Sequence, residues 1–164
     1  MKKKFNLERD FVGFVSLCNQ YEVKYLVIGG YAVSIHGYPR STKDLDILIE
    51  LSDENAGKVK RVVDEFGFAS MKLTKDDFLK KDFVTQLGFE PERINIINDV
   101  DGLDYEKAWQ NRRMVKYEGV EIPFIGYNEL LKIKTIAGRP QDIADIDKLK
   151  KRNEKIKNNA TVLR

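Results

Sequence analysis

The chain has 164 residues, 42% of them hydrophobic and 34% charged, with a formal net charge of +3. That length favours one domain whose core needs no covalent staples, and a single cysteine, Cys18, excludes an internal disulfide framework. The charge is too small to argue for nucleic acid by itself, and no run of about 18 apolar residues is present to span a membrane.

The opening Met1-Lys2-Lys3-Lys4 resembles the charged end of a signal peptide, but Asn6, Glu8, Arg9 and Asp10 interrupt at once. No secretion signal is therefore expected, and a lone thiol suits the cytoplasm. From Phe5 to Gln20, Phe11, Phe14, Val15 and Cys18 recur at helical spacing, with Cys18 read as a small buried hydrophobe. Tyr25-Leu26-Val27-Ile28 is a continuous apolar run that stops at Gly29-Gly30, the pattern of a buried strand and a tight turn. A short helix over Tyr31 to His36 and a loop, Gly37 to Ser41, lead to a second strand, Leu45 to Leu51.

Ser52-Asp53-Glu54 resembles a helix start, continued by Val59, Val62, Val63 and Phe66 to Gly67. Phe68 to Leu73 reads as an edge strand, and Thr74 to Lys81 as a short helix capped by Thr74. Phe83 to Phe89 and Arg93 to Ile97 are strand candidates joined across Glu90-Pro91-Glu92. Asp104 to Asn111 reads as a turn or two of helix. Arg113 to Tyr117 and Val120 to Phe124 flank Glu118-Gly119, a hairpin connection. A helix from Tyr127 ends on Gly138, and Pro140 permits another over Gln141 to Lys157. The order predicts an α/β (α+β) domain over residues 1–164, a mixed sheet flanked by helices. Residues 148–164 form a basic helical tail that either frays in solvent or meets a nucleic-acid backbone.

Two chemical devices sit close together in Tyr25 to Glu50. Gly29-Gly30 lies between strand and helix, where backbone can turn sharply and free N–H groups suit phosphate; alone, such a pair also serves as a plain turn. Asp44 and Asp46 share one face of a strand, so two carboxylates are held side by side. Their repulsion is relieved by a cation, and magnesium, which bridges carboxylates to substrate phosphates, is the natural one; a solvated strand end is the plain alternative. The thirteen residues Tyr31 to Lys43 are enough to bring the second strand back beside the first. Both devices would then sit at neighbouring strand ends.

Gly-Gly, a short spacer and an aspartate–hydrophobic–aspartate strand resemble the signature of the nucleotidyltransferase superfamily, the polymerase-β-like fold. Arg40-Ser41-Thr42-Lys43-Asp44-Leu45-Asp46-Ile47 is particularly similar to the small bacterial branch of AbiEii-type abortive-infection toxins and minimal nucleotidyltransferases. Arg93-Ile94-Asn95-Ile96-Ile97 with Asp101-Gly102 resembles the family's third-carboxylate strand. Ile125 to Leu149, with Glu129, Lys134, Gly138-Arg139, Asp142 and Asp145, resembles its closing helices. The resemblance covers roughly residues 20 to 150.

It implies that Gly29 and Gly30 hold a nucleoside triphosphate, with Arg40 and Thr42 nearby, and that Asp44 and Asp46 bind magnesium. Lys134 or Arg139 would neutralise phosphate; read without the family, Lys134 is a cation near a helix C-terminus. The implied reaction moves a nucleoside monophosphate to a hydroxyl of a small molecule, an RNA end or a protein. The implied alternative is an impaired binding or regulatory module, one half of a toxin–antitoxin-like pair. Asn95 motivates that alternative, because it stands where the family has a third aspartate, and an amide ligates a hard cation but takes no proton. Asp99, Asp101 and Glu50 are poorly placed to replace it. Residues are too few for a zinc site, and His36 is either a packing residue or a contact to base or phosphate. Tyr38 reads as a loop anchor or a base-stacking ring. Acceptor, base preference and oligomeric state are not written in the sequence.

Overall fold

An apolar run with no polar residue to leave for solvent must be covered on both faces. Tyr25–Ile28 is such a run, and it forms the fully buried strand β1. In the computed structural model, which describes residues 7–89 and 91–162, β1 joins five further strands. These are β2 (Leu45–Ile49), β3 (Val84–Leu87), β4 (Ile94–Ile97), β5 (Arg113–Tyr117) and β6 (Val120–Phe124). The spatial order is β3-β4-β2-β1-β6-β5. The pairs β2–β4 and β1–β6 are parallel and the remaining three antiparallel, so the sheet is mixed as the element order predicts.

Helices α1 (Arg9–Gln20), α2 (Gly29–Ile35), α3 (Asp53–Val63), α4 (Tyr105–Gln110), α5 (Tyr127–Ala137) and α6 (Pro140–Val162) complete the architecture. Helix α1 buries Phe11, Phe14, Val15 and Cys18, the stripe read from the sequence. Phe14 meets Phe66 edge-on at 5.2 Å between ring centroids, and Phe11 meets Tyr31 at 5.9 Å, linking α1 to α2 and to the turn after α3. Ser52 caps α3 by accepting from the Asn55 N–H. Asn55 is itself buried and satisfies three backbone groups, accepting from Lys24 N and donating to Lys24 O and Glu50 O. It thereby ties the start of β1 to the residue after β2.

The expected edge strand at Phe68 to Leu73 is not a strand. Helix α3 runs on through a wide turn, Asp64–Phe68, and one tight turn, Ala69–Met71. Gly67 at φ +117° and Lys72 at φ +53° keep the segment from extending. The edge is β3 instead, pairing with β4 from Val84↔Ile97 to Leu87↔Ile94. Of the connecting residues, Glu90 lies outside the described ones. Thr74 caps a short tight helix, Lys75–Leu79, through a reciprocal capping box with Asp77. Helix α2 begins two residues earlier than the sequence suggests, on the glycines themselves. Helix α1 begins at Arg9, and Phe5 falls outside the described residues.

Helix α6 extends through the basic stretch as far as Val162, with Leu149 fully buried and Arg152 packed over Gly37. Residues 163 and 164 lie outside the described ones. No helix among the described residues is long and apolar enough to cross a membrane.

Candidate functional site

Strand register assembles the site. Ile28 of β1 lies opposite Asp46 of β2, Asp46 opposite Asn95 of β4, and Asn95 opposite Gln86 of β3. Directly opposed residues project from the same face, so these four form one row across four strands. Asp44 precedes Asp46 by two and shares that face. Its Oδ1 accepts from the Arg93 backbone N–H at 3.3 Å, and the Arg93 guanidinium stands 3.9 Å from its Oδ2.

Asn95 connects the two aspartates. Its Nδ2 donates to Asp46 Oδ1 at 2.8 Å and to Asp44 Oδ2 at 3.4 Å. Its Oδ1 is buried without a hydrogen-bond partner among the described residues. The amide donor thus stands between two carboxylates where a cation would otherwise relieve their repulsion. Burial pushes the Asp46 carboxyl above the ordinary carboxylate range, the bond from Asn95 lowers it, and the charge of Asp44 raises it again. Asp99 turns to Lys81, and Glu50 to Lys24 and Ser52, so neither supplies a third carboxylate.

The glycines are pressed against this machinery. Gly29 has φ +72°, and a Cβ there would lie 2.3 Å from Asp46 Oδ2. A Cβ on Gly30 would lie 2.4 Å from Thr42 Oγ1 and 2.7 Å from Thr42 Cβ. Gly29→Ala is therefore expected to cost about 1–3 kcal/mol from backbone strain, before any displacement of Asp46. Urea denaturation of Gly29→Ala beside Gly67→Ala checks this. Gly67 shares the positive φ but has open space around it, so the excess loss at position 29 reports the crowding on Asp46.

Cations form the opposite wall. Lys134 of α5 is buried, with Nζ 3.2 Å from Asp142 Oδ1 and 3.0 Å from Asp145 Oδ2. Arg40 grips Asp145 with Nε at 3.0 Å and Nη2 at 3.1 Å. Arg139 binds Asp142 through Nε at 2.7 Å and Nη2 at 3.3 Å. Burial would raise the Asp142 carboxyl, but the bonds from Arg139 and Lys134 outweigh it and hold it below the ordinary range. Three cations thus meet two buried carboxylates, leaving one net positive charge beside Asp46. Lys134 is more than a solvated helix-end charge, and the acids that fix it, Asp142 and Asp145, were given no role from the sequence. The readable signal was their i, i+3 spacing opposite Lys134, which places both on one helix face.

Between the two walls lies a cavity of about 350 Å³, lined by Gly29, Asp46, Gln86, Asn95, Lys134, Arg139 and Asp142 with an apolar remainder. Arg40 and Thr42 lie behind it, Arg40 on Asp145 and Thr42 against Gly30. His36 is a packing residue. Its Nε2 donates to the Ile125 carbonyl at 2.7 Å and its ring meets Tyr127 edge-on.

The donor set suits a hard cation: two carboxylates and an amide whose buried oxygen lacks a partner among the described residues. A half-turn of the Asn95 amide would present that oxygen to the site.

The fold is shared with solved nucleotidyltransferases. The chain matches a protein from Thermotoga maritima assigned as a nucleotidyltransferase over 85% of its own length and 89% of that chain, with TM-score 0.59 and 18% identity. It matches the lincosamide antibiotic adenylyltransferase LnuA, solved with lincomycin bound, over 90% and 98% (TM-score 0.54, 17% identity). It also matches an antigenic nucleotidyltransferase-like protein from Paracoccidioides brasiliensis over 85% and 74% (TM-score 0.50, 16% identity). No protein-family model and no curated protein matches the sequence.

Proposed function

We propose that this chain transfers a nucleoside monophosphate from a nucleoside triphosphate to a hydroxyl acceptor, with magnesium held by Asp44 and Asp46. The observation that carries this reading is the row Asp46–Asn95, facing Lys134 and Arg139 across one cavity, with Asp44 joined to it through the Asn95 amide. Carboxylates on one wall and cations on the other suit a metal-bound polyphosphate. The magnesium would neutralise charge at the transferring phosphoryl group.

The chain's own part is positioning and charge. Lys134 and Arg139 stand ready for the phosphates, with Arg40 behind them on Asp145, and Gly29 and Gly30 leave room for Asp46 and Thr42. The acceptor oxygen bonds to the α-phosphorus while the bond from that phosphorus to the bridging oxygen breaks. The electron pair leaves with pyrophosphate. The acceptor proton goes to solvent, since Asn95 takes none.

Asp46→Asn tests the reading while keeping shape and the Asn95 hydrogen bond. The wild-type protein is expected to gain melting temperature from magnesium plus a non-hydrolysable ATP analogue, and the variant to lose that gain. Calorimetric affinity for the magnesium–analogue pair should fall at least tenfold. Without metal the variant should be the more stable of the two at neutral pH, because a carboxyl whose folded pKa is raised by burial burdens the fold when ionised. That burden is full above the folded pKa and vanishes below the unfolded one, so the gap should close as pH falls. Equal magnesium responses in both proteins would sink the reading.

The Asn95 amide also favours a second reading. A donor already shared between both carboxylates suits an impaired site kept for binding or regulation, as in one partner of a toxin–antitoxin or abortive-infection-like pair. Restoring the carboxylate separates the two readings.

A further inference from the structure

Besides the carboxylate row and the cations, the cavity has an uncharged wall. Beyond Asn95 the same sheet face continues into Val84 and Gln86 of β3 and Ile97 of β4, with Val100 beside them. Across from this shelf stand Leu130, Ile133 and Ala137 of α5. Val84 is 47% exposed although it lies in the cavity wall. Gln86 is exposed, and its amide makes no hydrogen bond among the described residues. An apolar wall with one uncommitted amide is the usual make-up of a small-molecule pocket.

Resting on the transferase reading above, we infer that this shelf receives the acceptor, a small organic alcohol with an apolar body, oriented by Gln86. Three observations point this way. The shelf adjoins Asn95, so a molecule lying on it presents its hydroxyl at the carboxylate row. The shelf residues themselves carry no charge. The lysines that precede β3 in the chain, Lys80 and Lys81, are outside the cavity lining and pair with Asp77 at 3.1 Å and with Asp99 at 3.9 Å. A nucleic-acid acceptor needs cations along its backbone, and among the described residues Val84, Gln86, Ile97 and Val100 of the shelf supply none.

The test uses the full chain and two substitutions at exposed positions of an edge strand, Val84→Glu and Gln86→Leu. The probes are phenyl, cyclohexyl and naphthyl glucosides and an eight-nucleotide RNA. Binding is read by ligand-observed NMR, with and without magnesium and the ATP analogue. At least one glucoside is expected to bind. Val84→Glu should weaken it at least tenfold and Gln86→Leu several-fold, with affinity for the ATP analogue held within twofold. The inference is overturned if no glucoside binds, if Val84→Glu weakens the analogue as much as the glucoside, which would make the shelf a base pocket, or if the RNA binds with the same sensitivity to Val84→Glu. Failure of analogue binding in the wild type would count against the transferase reading alone, because the glucosides are also measured on the free protein.

Discussion

Asn95→Asp is expected to raise nucleotidyl transfer about 10²–10⁴-fold over the wild-type rate, the usual contribution of a positioned general base. That range corresponds to about 3–5 kcal/mol of barrier. The position is right for the role. Asn95 is in register with Asp46, and its side chain already reaches both Asp46 and Asp44. An aspartate there would add a charged ligand and a proton acceptor without moving the backbone.

The same substitution should weaken the metal-free fold. Two hydrogen bonds donated to carboxylates are lost, each worth about 1.5–3 kcal/mol, and a third negative charge enters a half-buried cluster. Magnesium should reverse this. The variant should melt lower than wild type in a chelator and regain more stability than wild type when magnesium is added. Turnover of each labelled nucleoside triphosphate and two melting curves decide the matter. A variant with the strengthened magnesium response but no faster transfer would favour the binding-module reading. A variant with neither change would mean that position 95 does not face the metal.

How much of this was legible beforehand depended on the range of the interactions concerned. The apolar run Tyr25–Ile28 and the stripe on α1 report burial directly, so β1 and the buried stripe came out where expected, while α1 starts at Arg9 rather than Phe5. Asp44 and Asp46 announced themselves because period-two geometry is local. The strand order was not legible, because the parallel β2–β4 pairing joins segments about fifty residues apart. Phe68 to Leu73 looked like a strand because aromatic and apolar residues cluster there, but positive φ at Gly67 and Lys72 overrode that propensity. The role of Asp142 and Asp145 was hidden for a related reason. Their i, i+3 spacing places them on one helix face, but their burial shows only through their partners, and Arg40 stands 105 positions from Asp145 in the chain.

Those acids carry the other large expected effect. Asp145→Ala should destabilise the protein by about 3 kcal/mol, the lower end of the cost of breaking a buried ion pair. Asp145 is fully buried and accepts from Arg40 Nε and Nη2, Lys134 Nζ and Gln141 Nε2. Its removal leaves a buried ammonium short of one partner and frees the arginine that anchors the loop before Asp44. The lower end applies because Lys134 keeps Asp142 and because Arg40 retains some access to water. Asp145→Asn, which keeps the shape and removes the charge, separates packing from electrostatics. If charge dominates, the asparagine variant should lose most of what the alanine variant loses. Inorganic pyrophosphate adds a second readout. With Asp145 gone, Arg40 and Lys134 have an unmet anion requirement, so pyrophosphate should raise the melting temperature of Asp145→Ala more than that of wild type. A loss below about 1 kcal/mol, the level of an exposed ion pair, would show that the cluster is solvated in solution. Equal pyrophosphate responses would show that these cations do not face the phosphate side of the cavity.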